Sequence, residues 1–286
     1  MKKATIIFFV SLTLIFLFIL MVLITYYRFV QDKNTYRANE TFTIANWNIQ
    51  TFGDKKGSEN DLMNFYAQVI NQYDVVFIQE IRDKDDSTFY RLCSMLPSYS
   101  CNISSRAGRS PSKEQYGILY LKKFTLQKLV DYNPDIKDRW ERPPIRADFS
   151  TGNYHFSAYN IHTKPNQTES EIDELEKLIQ EEKGYRNIIV LGDMNADCYY
   201  LNSSSKLFSS WHWIIRDDDD TTSKGSDCAY DRIMMNDDAF QEFVGYGVYD
   251  KIDPSVSDHY IVWARLREYD YDSDIKLAAF LNSVLH

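Results

Sequence analysis

Apolar residues fall in short, separated runs along most of this chain. "TFTIANWNI" (41 to 49) alternates apolar and polar positions, the period of a strand with one buried face. "DVVFIQE" (74 to 80), "YGILYL" (116 to 121) and "NIIVLGD" (187 to 193) are nearly continuous apolar runs, which predict buried strands. Residues 145 to 149 and 154 to 160 predict a hairpin, "CAYDRIMM" (228 to 235) a further strand, and "SDHYIVWARL" (257 to 266) the strand that closes the domain. Helical spacing shows in two places. Leu62, Phe65, Val69 and Ile70 form a stripe within 59 to 72. In "TESEIDELEKLIQ" (168 to 180), Ile172, Leu175, Leu178 and Ile179 share a face, and Thr168 with Glu171 reads as a capping box. Strands and helices interleave, so the fold class is α/β or α+β.

The N-terminal residues follow another pattern. Lys2 and Lys3 precede an uncharged stretch from Ala4 to Tyr27, interrupted only by Thr and Ser. It is long enough to span a bilayer and too long for a core helix. The preferred reading is a transmembrane signal anchor over residues 1–28, with the N-terminus in the cytoplasm, followed by a polar stalk over 29–40. Arg28, Lys33 and Arg37 on the far side oppose that orientation. The alternative is a cleaved signal peptide and a secreted protein, although no A-x-A-like cleavage site is visible. Either reading places the domain outside the cytosol, extracellular or luminal. N-x-S/T triplets at Asn39, Asn102, Asn166 and Asn202 agree with that. Cys93, Cys101, Cys198 and Cys228 are an even set, compatible with two disulfides or with four unpaired core thiols. The main domain is expected over 41–267, with a tail over 268–286.

Of 286 residues, 44% are hydrophobic and 26% charged, an ordinary globular balance with enough chain for one large core. The net charge of −9 changes the picture more. A protein that coats or stores nucleic acid through phosphate contacts is normally basic. The acidic balance excludes that role but not an enzyme whose cleft carries a local basic cluster or a divalent ion.

Candidate chemistry lies where apolar runs end. Asn48 follows "TIANW", Glu80 follows "DVVFIQ", His162 follows "FSAYNI", and Asp193 and Asn195 follow "IIVLG". Asp231 and the pair Asp258 and His259 lie within or begin strands. A single strand-end Asp or Asn usually just starts a turn. Six such sites on different elements point to convergence. Carboxylates with an amide, and no Cys/His cluster at ligand spacing, suit a hard cation such as Mg²⁺ or Ca²⁺ rather than zinc. Two histidines far apart in sequence suit a general base and a general acid. Metal, acid and base together describe hydrolysis of a phosphate ester.

Six segments in this order closely resemble the deoxyribonuclease I family of the endonuclease/exonuclease/phosphatase fold. They are "NWNIQTFG" (46 to 53), "VVFIQEIRD" (75 to 83), "RWERPPI" (139 to 145), "LGDMNADC" (191 to 198), "CAYDRI" (228 to 233) and "SDHY" (257 to 260). The resemblance covers roughly 41 to 267. It implies a four-layer sandwich of two packed mixed β-sheets flanked by helices, and a Mg²⁺- or Mn²⁺-dependent endonuclease that leaves 5′-phosphate ends on DNA. By the same resemblance Glu80, Asn48 and Asp258 hold the metal, and Asp193 and Asn195 contact the scissile phosphate or its metal. His162 is oriented by Glu114, and His259 by Asp231. Arg82, Arg109 and Arg142 match DNA-contacting positions, and Cys198 pairs with Cys228. Some positions depart from the family. Ser112 stands where a groove-inserting tyrosine is expected, with Pro111 beside it. Pro143 replaces a glutamate of one calcium site. The loop "DTTSKGSDC" keeps Asp220 and Thr222 of the other calcium site, but Lys224 intrudes.

The expected partners are DNA and, through the N-terminal helix, a membrane. No obligate protein partner is evident. Two other functions compete: a membrane-anchored phosphodiesterase or phosphatase of the same superfamily (sphingomyelinase-like or acting on phosphoinositides), and a non-catalytic binding protein on the same scaffold.

Overall fold

The computed structural model describes residues 18–26, 41–152, 154–182, 184–201 and 205–268. Residues 18–26 are helical, and no described helix is long and apolar enough to cross a membrane. Most of the stretch from Ala4 to Tyr27, the 29–40 stalk, Asn39, Asn202 and the tail beyond Glu268 lie outside the described residues.

Two six-stranded mixed sheets form the body of the domain. The first is ordered β11-β12-β1-β2-β4-β3, from β1 (Thr41–Phe52), β2 (Val75–Ile81), β3 (Tyr99–Ile103), β4 (Gln115–Leu121), β11 (Phe243–Tyr249) and β12 (Ile261–Arg267). The second is ordered β5-β6-β7-β8-β10-β9, from β5 (Thr125–Asp131), β6 (Ile145–Thr151), β7 (Tyr154–Asn160), β8 (Asn187–Asp193), β9 (His212–Trp213) and β10 (Asp231–Met235). Parallel pairing of β1 with β2, and of β7 with β8, sits beside antiparallel neighbours. The expected 145–160 hairpin is the β6–β7 pair.

The layers follow from where alternate side chains point. Phe42, Ile44, Val75, Phe77 and Ile118 of the first sheet meet Ile145, Phe149, Phe156, Ile189 and Leu191 of the second in one buried cluster. Phe42 stacks on Phe156 with ring centroids 5.2 Å apart. Each such aromatic removed from water contributes roughly 1.5–3 kcal/mol. On the far side of the first sheet, Ala45, Trp47 and Ile78 pack on Met63, Tyr66 and Val69 of α2 (Asn60–Ile70), which follows the short α1 (Asp54–Ser58), and on Phe89 and Leu92 of α3 (Ser87–Ser94). Outside the second sheet, Ile172, Leu175, Leu178 and Ile179 of α4 (Thr168–Glu181) pack on Tyr159 and Val190. The result is two packed mixed sheets flanked by helices.

Two local expectations are corrected. The alternation in β1 does not make one wet face: Thr43, Asn46 and Asn48 are as buried as their apolar neighbours. Thr43 is satisfied by Asp74, whose carboxylate accepts from both its amide and its hydroxyl at 2.8 Å. The capping box at α4 does not form either, because Gln167 is the N-cap and makes no side-chain cap. The Thr168 hydroxyl donates to Pro165 O at 3.1 Å instead, and the buried Glu171 carboxylate accepts the N–H groups of Glu141 (2.6 Å) and Lys164 (2.9 Å).

Candidate active site

The functional side chains gather at one end of both sheets. Asn48 lies near the end of β1 and Glu80 near the end of β2. Glu114 immediately precedes β4, and His162 lies two residues past β7. Asp193 ends β8 and pairs in register with Asp231 at the start of β10. Asp258 and His259 enter β12. The backbone here is unusual. Of the eight non-glycine residues with positive φ among those described, five (Gln50, Thr51, Glu80, Asn195 and Cys198) belong to these segments, so conformational strain is concentrated at this end. Gly192 admits the crossing of β8 past the chain that leads to His162, since a Cβ there would lie 1.8 Å from Ile161 O.

Asp193 Oδ2 is the focus. His162 Nε2 lies 3.3 Å from it, His259 Nε2 3.5 Å, and Asn48 Nδ2 donates to it at 2.9 Å. The opposite ring nitrogens are held by carboxylates: His162 Nδ1 by Glu114 Oε2 at 2.8 Å, and His259 Nδ1 by Asp231 Oδ2 at 2.7 Å. These contacts orient both rings and turn each Nε2 towards Asp193 Oδ2. The Asp193 Oδ1 atom accepts the Asn195 amide at 3.2 Å, while Asn195 Nδ2 donates to Thr163 O at 3.1 Å.

Charge is distributed unevenly. Burial alone would raise the Glu114 carboxyl, but His162, Arg142 and Arg82 outweigh it and hold it at about 2. Burial likewise opposes ionisation of Asp193, and His259 and His162 keep it below the usual carboxylate range. Burial would lower the His259 imidazolium, yet Asp231 and Asp193 raise it to about 10. Burial pushes Asp231 up to about 6 against the pull of His259. Through neutral pH this buried pair therefore holds one proton on the imidazole.

Beneath Asp231 lies a buried set of amides. Asn46 Nδ2 donates to Asp231 Oδ1 (3.3 Å) and to Gln79 Oε1 (3.2 Å). Gln79 donates to Asn160 Oδ1 (3.0 Å), and Asn160 donates to Asn46 Oδ1 (2.9 Å) and Leu191 O (3.0 Å).

Glu80 and Asn48 offer a carboxylate and an amide side by side, 3.2 Å apart, and Asp258 joins them through Gln50, whose Nε2 donates to Asp258 Oδ2 at 2.6 Å. Glu80, Glu114 and His162 also bring one ligand atom each within 4.8 Å of the others. Glu114 and His162 are bonded to each other, while Glu80 is shared among the Asn48 amide, the Thr51 N–H and Arg82. These hard oxygen donors fit Mg²⁺ or Mn²⁺. Asp197, Cys198 and Cys228 also cluster, but both thiols are consumed in a disulfide.

The remaining expected residues separate. Arg82 sits over the site, 2.8 Å from Glu80, and donates to Ser112 Oγ at 3.2 Å. Arg142 is drawn underneath: it meets Glu114 at 2.7 Å and donates to His162 O (2.8 Å) and Thr163 O (2.6 Å). Arg109 reaches Asp138 at 2.9 Å and Gln167 at 3.1 Å. Asp220 Oδ1 accepts from the amide and the hydroxyl of Thr222, both at 2.9 Å, and Thr222 forms a β-bridge with His259. Cys198 is bonded to Cys228, and Cys93 to Cys101.

Three residues at the site were missed from sequence. Gln50 bridges to Asp258. Lys224, expected only to disturb a calcium loop, turns to Gln50 Oε1 (3.2 Å) and Asp258 Oδ2 (3.7 Å). Lys56 is held by the carbonyls of Ile49 (2.8 Å), Gln50 and Val256 (2.7 Å), and burial lowers its ammonium to about 8. The one signal in sequence was the nearness of Gln50 to Asn48.

The chain matches known proteins in sequence and in fold. A model of the endonuclease/exonuclease/phosphatase family covers residues 45–259. Deoxyribonuclease-1 of Equus caballus is 32% identical over 253 residues, covering 77% of this chain and 90% of its own. The Gallus gallus deoxyribonuclease-1 is 33% identical over 234 residues, 74% of this chain and 83% of its own. Among solved structures, family proteins from Bacteroides thetaiotaomicron and Bacteroides vulgatus superpose with TM-scores of 0.58 and 0.59. They are 16% and 18% identical, covering 81% and 79% of this chain and 97% and 98% of theirs, and so speak for the fold alone. The chain belongs to the endonuclease/exonuclease/phosphatase family. Within it the chain falls in the deoxyribonuclease I branch and is a deoxyribonuclease-like hydrolase.

Proposed function

We propose that this protein is a divalent-metal-dependent endonuclease that hydrolyses DNA phosphodiester bonds to 5′-phosphate ends. The observation that carries this reading is the approach of two carboxylate-held imidazoles to one carboxylate oxygen, Asp193 Oδ2. In-line hydrolysis needs one group to take a proton from the attacking water and another to give one to the leaving 3′ oxygen. His162, its Nδ1 held by an ionised Glu114 and its Nε2 turned to the site, is the base. His259, kept protonated by Asp231 and Asp193, is the acid. Asn195, with Asp193, positions the scissile phosphate. Glu80, Asn48 and Asp258 hold Mg²⁺ or Mn²⁺, which when bound offsets charge growing on the phosphoryl oxygens. Arg82 and Arg109, with Lys224, supply positive charge to the cleft of an acidic protein, and Arg142 acts from below by holding Glu114. Ser112 cannot stack in a groove as a tyrosine would, so cleavage depends less on groove width. Asp220 and Thr222 are the residues that would hold a structural Ca²⁺.

Location outside the cytosol is supported by both disulfides and by the exposure of Asn166 in its acceptor triplet. There the domain is either held by the N-terminal stretch or released by its cleavage, which N-terminal sequencing of the mature protein separates.

A plasmid-nicking assay with Mg²⁺, run beside a phospholipid-release assay, tests the function. Nicking that leaves ends ligatable without phosphorylation is expected. Phospholipid release without nicking would overturn it.

A further inference from the structure

Three carboxylates near the cleft take no part in the proposed chemistry. Asp83 and Asp85 lie on the segment after β2, and Asp54 is the first residue of α1. Each offers an oxygen within 4.8 Å of the others. The two segments are clamped together. Arg82 N donates to Phe52 O at 2.6 Å, and a Cβ on Gly53 would lie only 3.3 Å from Asp83 N. The cluster is thus held in place by backbone packing rather than assembled by chance rotamers.

The decisive atom is Asp83 Oδ1. Asp83 is 4% exposed, and its Oδ2 accepts the Thr88 amide at 2.9 Å. The Oδ1 atom is buried and has no hydrogen-bond partner among the described residues. Orphaned buried carboxylate oxygens are costly and rare. The arginines nearby are engaged elsewhere: Arg82 on Glu80, Arg91 on Gly57 O and Asn60, Arg106 on the main-chain oxygens of Arg82 and Asp83. Asp85 accepts the amide of Ser87 at 3.1 Å and also its hydroxyl, and both Asp85 and Asp54 are exposed to solvent. Burial, joined by Asp86 and Asp85, raises the Asp83 carboxyl against the Thr88 amide.

We propose that Asp54, Asp83 and Asp85 form a second divalent-cation site, distinct from the catalytic one and suited to Ca²⁺. Ca²⁺ accepts irregular sets of six to eight oxygens at 2.3–2.6 Å and completes them with water, whereas Mg²⁺ demands near-octahedral geometry. An ion here gives Asp83 Oδ1 its missing partner and joins α1 to the segment leading from Glu80 through Arg82 into α3. It would act by ordering that segment, without entering the chemistry.

The test is calorimetric titration of the full chain with Ca²⁺, together with melting curves in Ca²⁺ and in EGTA. The proteins compared are wild type, the double variant D54N/D85N, Glu80→Ala and Asp220→Asn. The double variant changes two exposed positions, and its melting in EGTA should match wild type. It should lose one binding equivalent, or weaken it by roughly tenfold or more, and lose the associated rise in Tm. Glu80→Ala and Asp220→Asn should keep the equivalent and the share of the Tm rise that D54N/D85N loses, whatever each loses at its own site, so that adding D54N/D85N to either removes one more equivalent. Should the double variant fail to fold, terbium luminescence on Asp85→Asn alone gives the same reading, with weakened terbium binding expected. An unchanged Ca²⁺ stoichiometry and Tm rise in D54N/D85N, or unchanged terbium affinity in the single variant, would overturn the site.

Discussion

His162 and His259 face Asp193 from different sheets, and their carboxylate partners live in different surroundings. Glu114 receives guanidinium groups from Arg142 at 2.7 Å and Arg82 at 3.7 Å. Asp231 receives an amide from Asn46 and the imidazole, and among the described residues no guanidinium reaches it. A buried carboxylate with no other cation keeps its imidazole charged. One motif, used twice, thus sits in two different electrostatic surroundings, and on that difference rests the proposal of His162 as base and His259 as acid.

Removing either imidazole should have the largest effect. His162→Ala and His259→Ala should each lower DNA hydrolysis by about 10²- to 10⁴-fold without unfolding the protein. The double variant should fall well short of the product, because the two act in one step. Near-normal nicking by either single variant at saturating Mg²⁺ would end the comparison.

Neutralising the partners should sharpen it. Asp231→Asn and Glu114→Gln should each lower activity on the order of 10²-fold, since the orienting anion is part of the acid–base contribution. The limbs of the pH–rate profile should respond differently. Asp231→Asn should draw the alkaline limb to lower pH, because the acid loses its proton sooner. Glu114→Gln should move the acidic limb to lower pH, because the base becomes weaker. Both variants moving the same limb would refute the division of roles.

The Cys198–Cys228 bridge serves mainly the His259 side, tying the loop after Asp193 to the chain entering Asp231. It closes a separation of 30 residues, worth roughly 3–4 kcal/mol in the chain-entropy model. The C198S/C228S variant should show that loss by denaturant titration, with a milder loss of activity well below its Tm. Undiminished stability would deny the bridge this role.

The smallest effect lies in how stability follows pH. Glu114 is depressed from 4.5 to about 2, so its contribution is present above pH 4.5 and lost as pH falls through 2. His259 is raised from 6.5 to about 10, so its contribution is present below pH 6.5 and lost as pH rises through 10. The stability gap between wild type and Glu114→Gln should narrow in the acid window, and that between wild type and His259→Gln in the alkaline one. An exchange of the two windows would break the comparison.

The eight strands expected from apolar patterning are the interior strands of the two sheets. The four that escaped, β3, β5, β9 and β11, are the four edges. An edge strand buries little, so selection for apolar residues is weak there: Thr125–Asp131 has no fully buried residue, and Phe243–Tyr249 has none. Asn48, Glu80, His162 and Asp193 stood out because they lie at or just past the ends of interior strands, where a polar side chain follows an apolar run; Glu114, Asp231, Asp258 and His259 lie before or at the start of strands and lack that signal. Lys224 was not legible, because its meaning depends on Gln50 and Asp258 arriving beside it from distant segments. The polar positions of β1 were misread as a wet face because a buried amide and an exposed one look alike in sequence.

The amides of Asn46, Gln79 and Asn160 come from both sheets and interlock within an otherwise apolar seam. Greasy faces alone would let one sheet slide over the other at little cost. A slip here would strand an amide away from water, at about 1–3 kcal/mol for each broken partnership. The joint works as a key in a slot. Because His162 follows a strand of one sheet and His259 leads into a strand of the other, that key sets the gauge of the cleft. The spacing between the two imidazoles is fixed from below, by uncharged amides whose bonds to one another do not titrate.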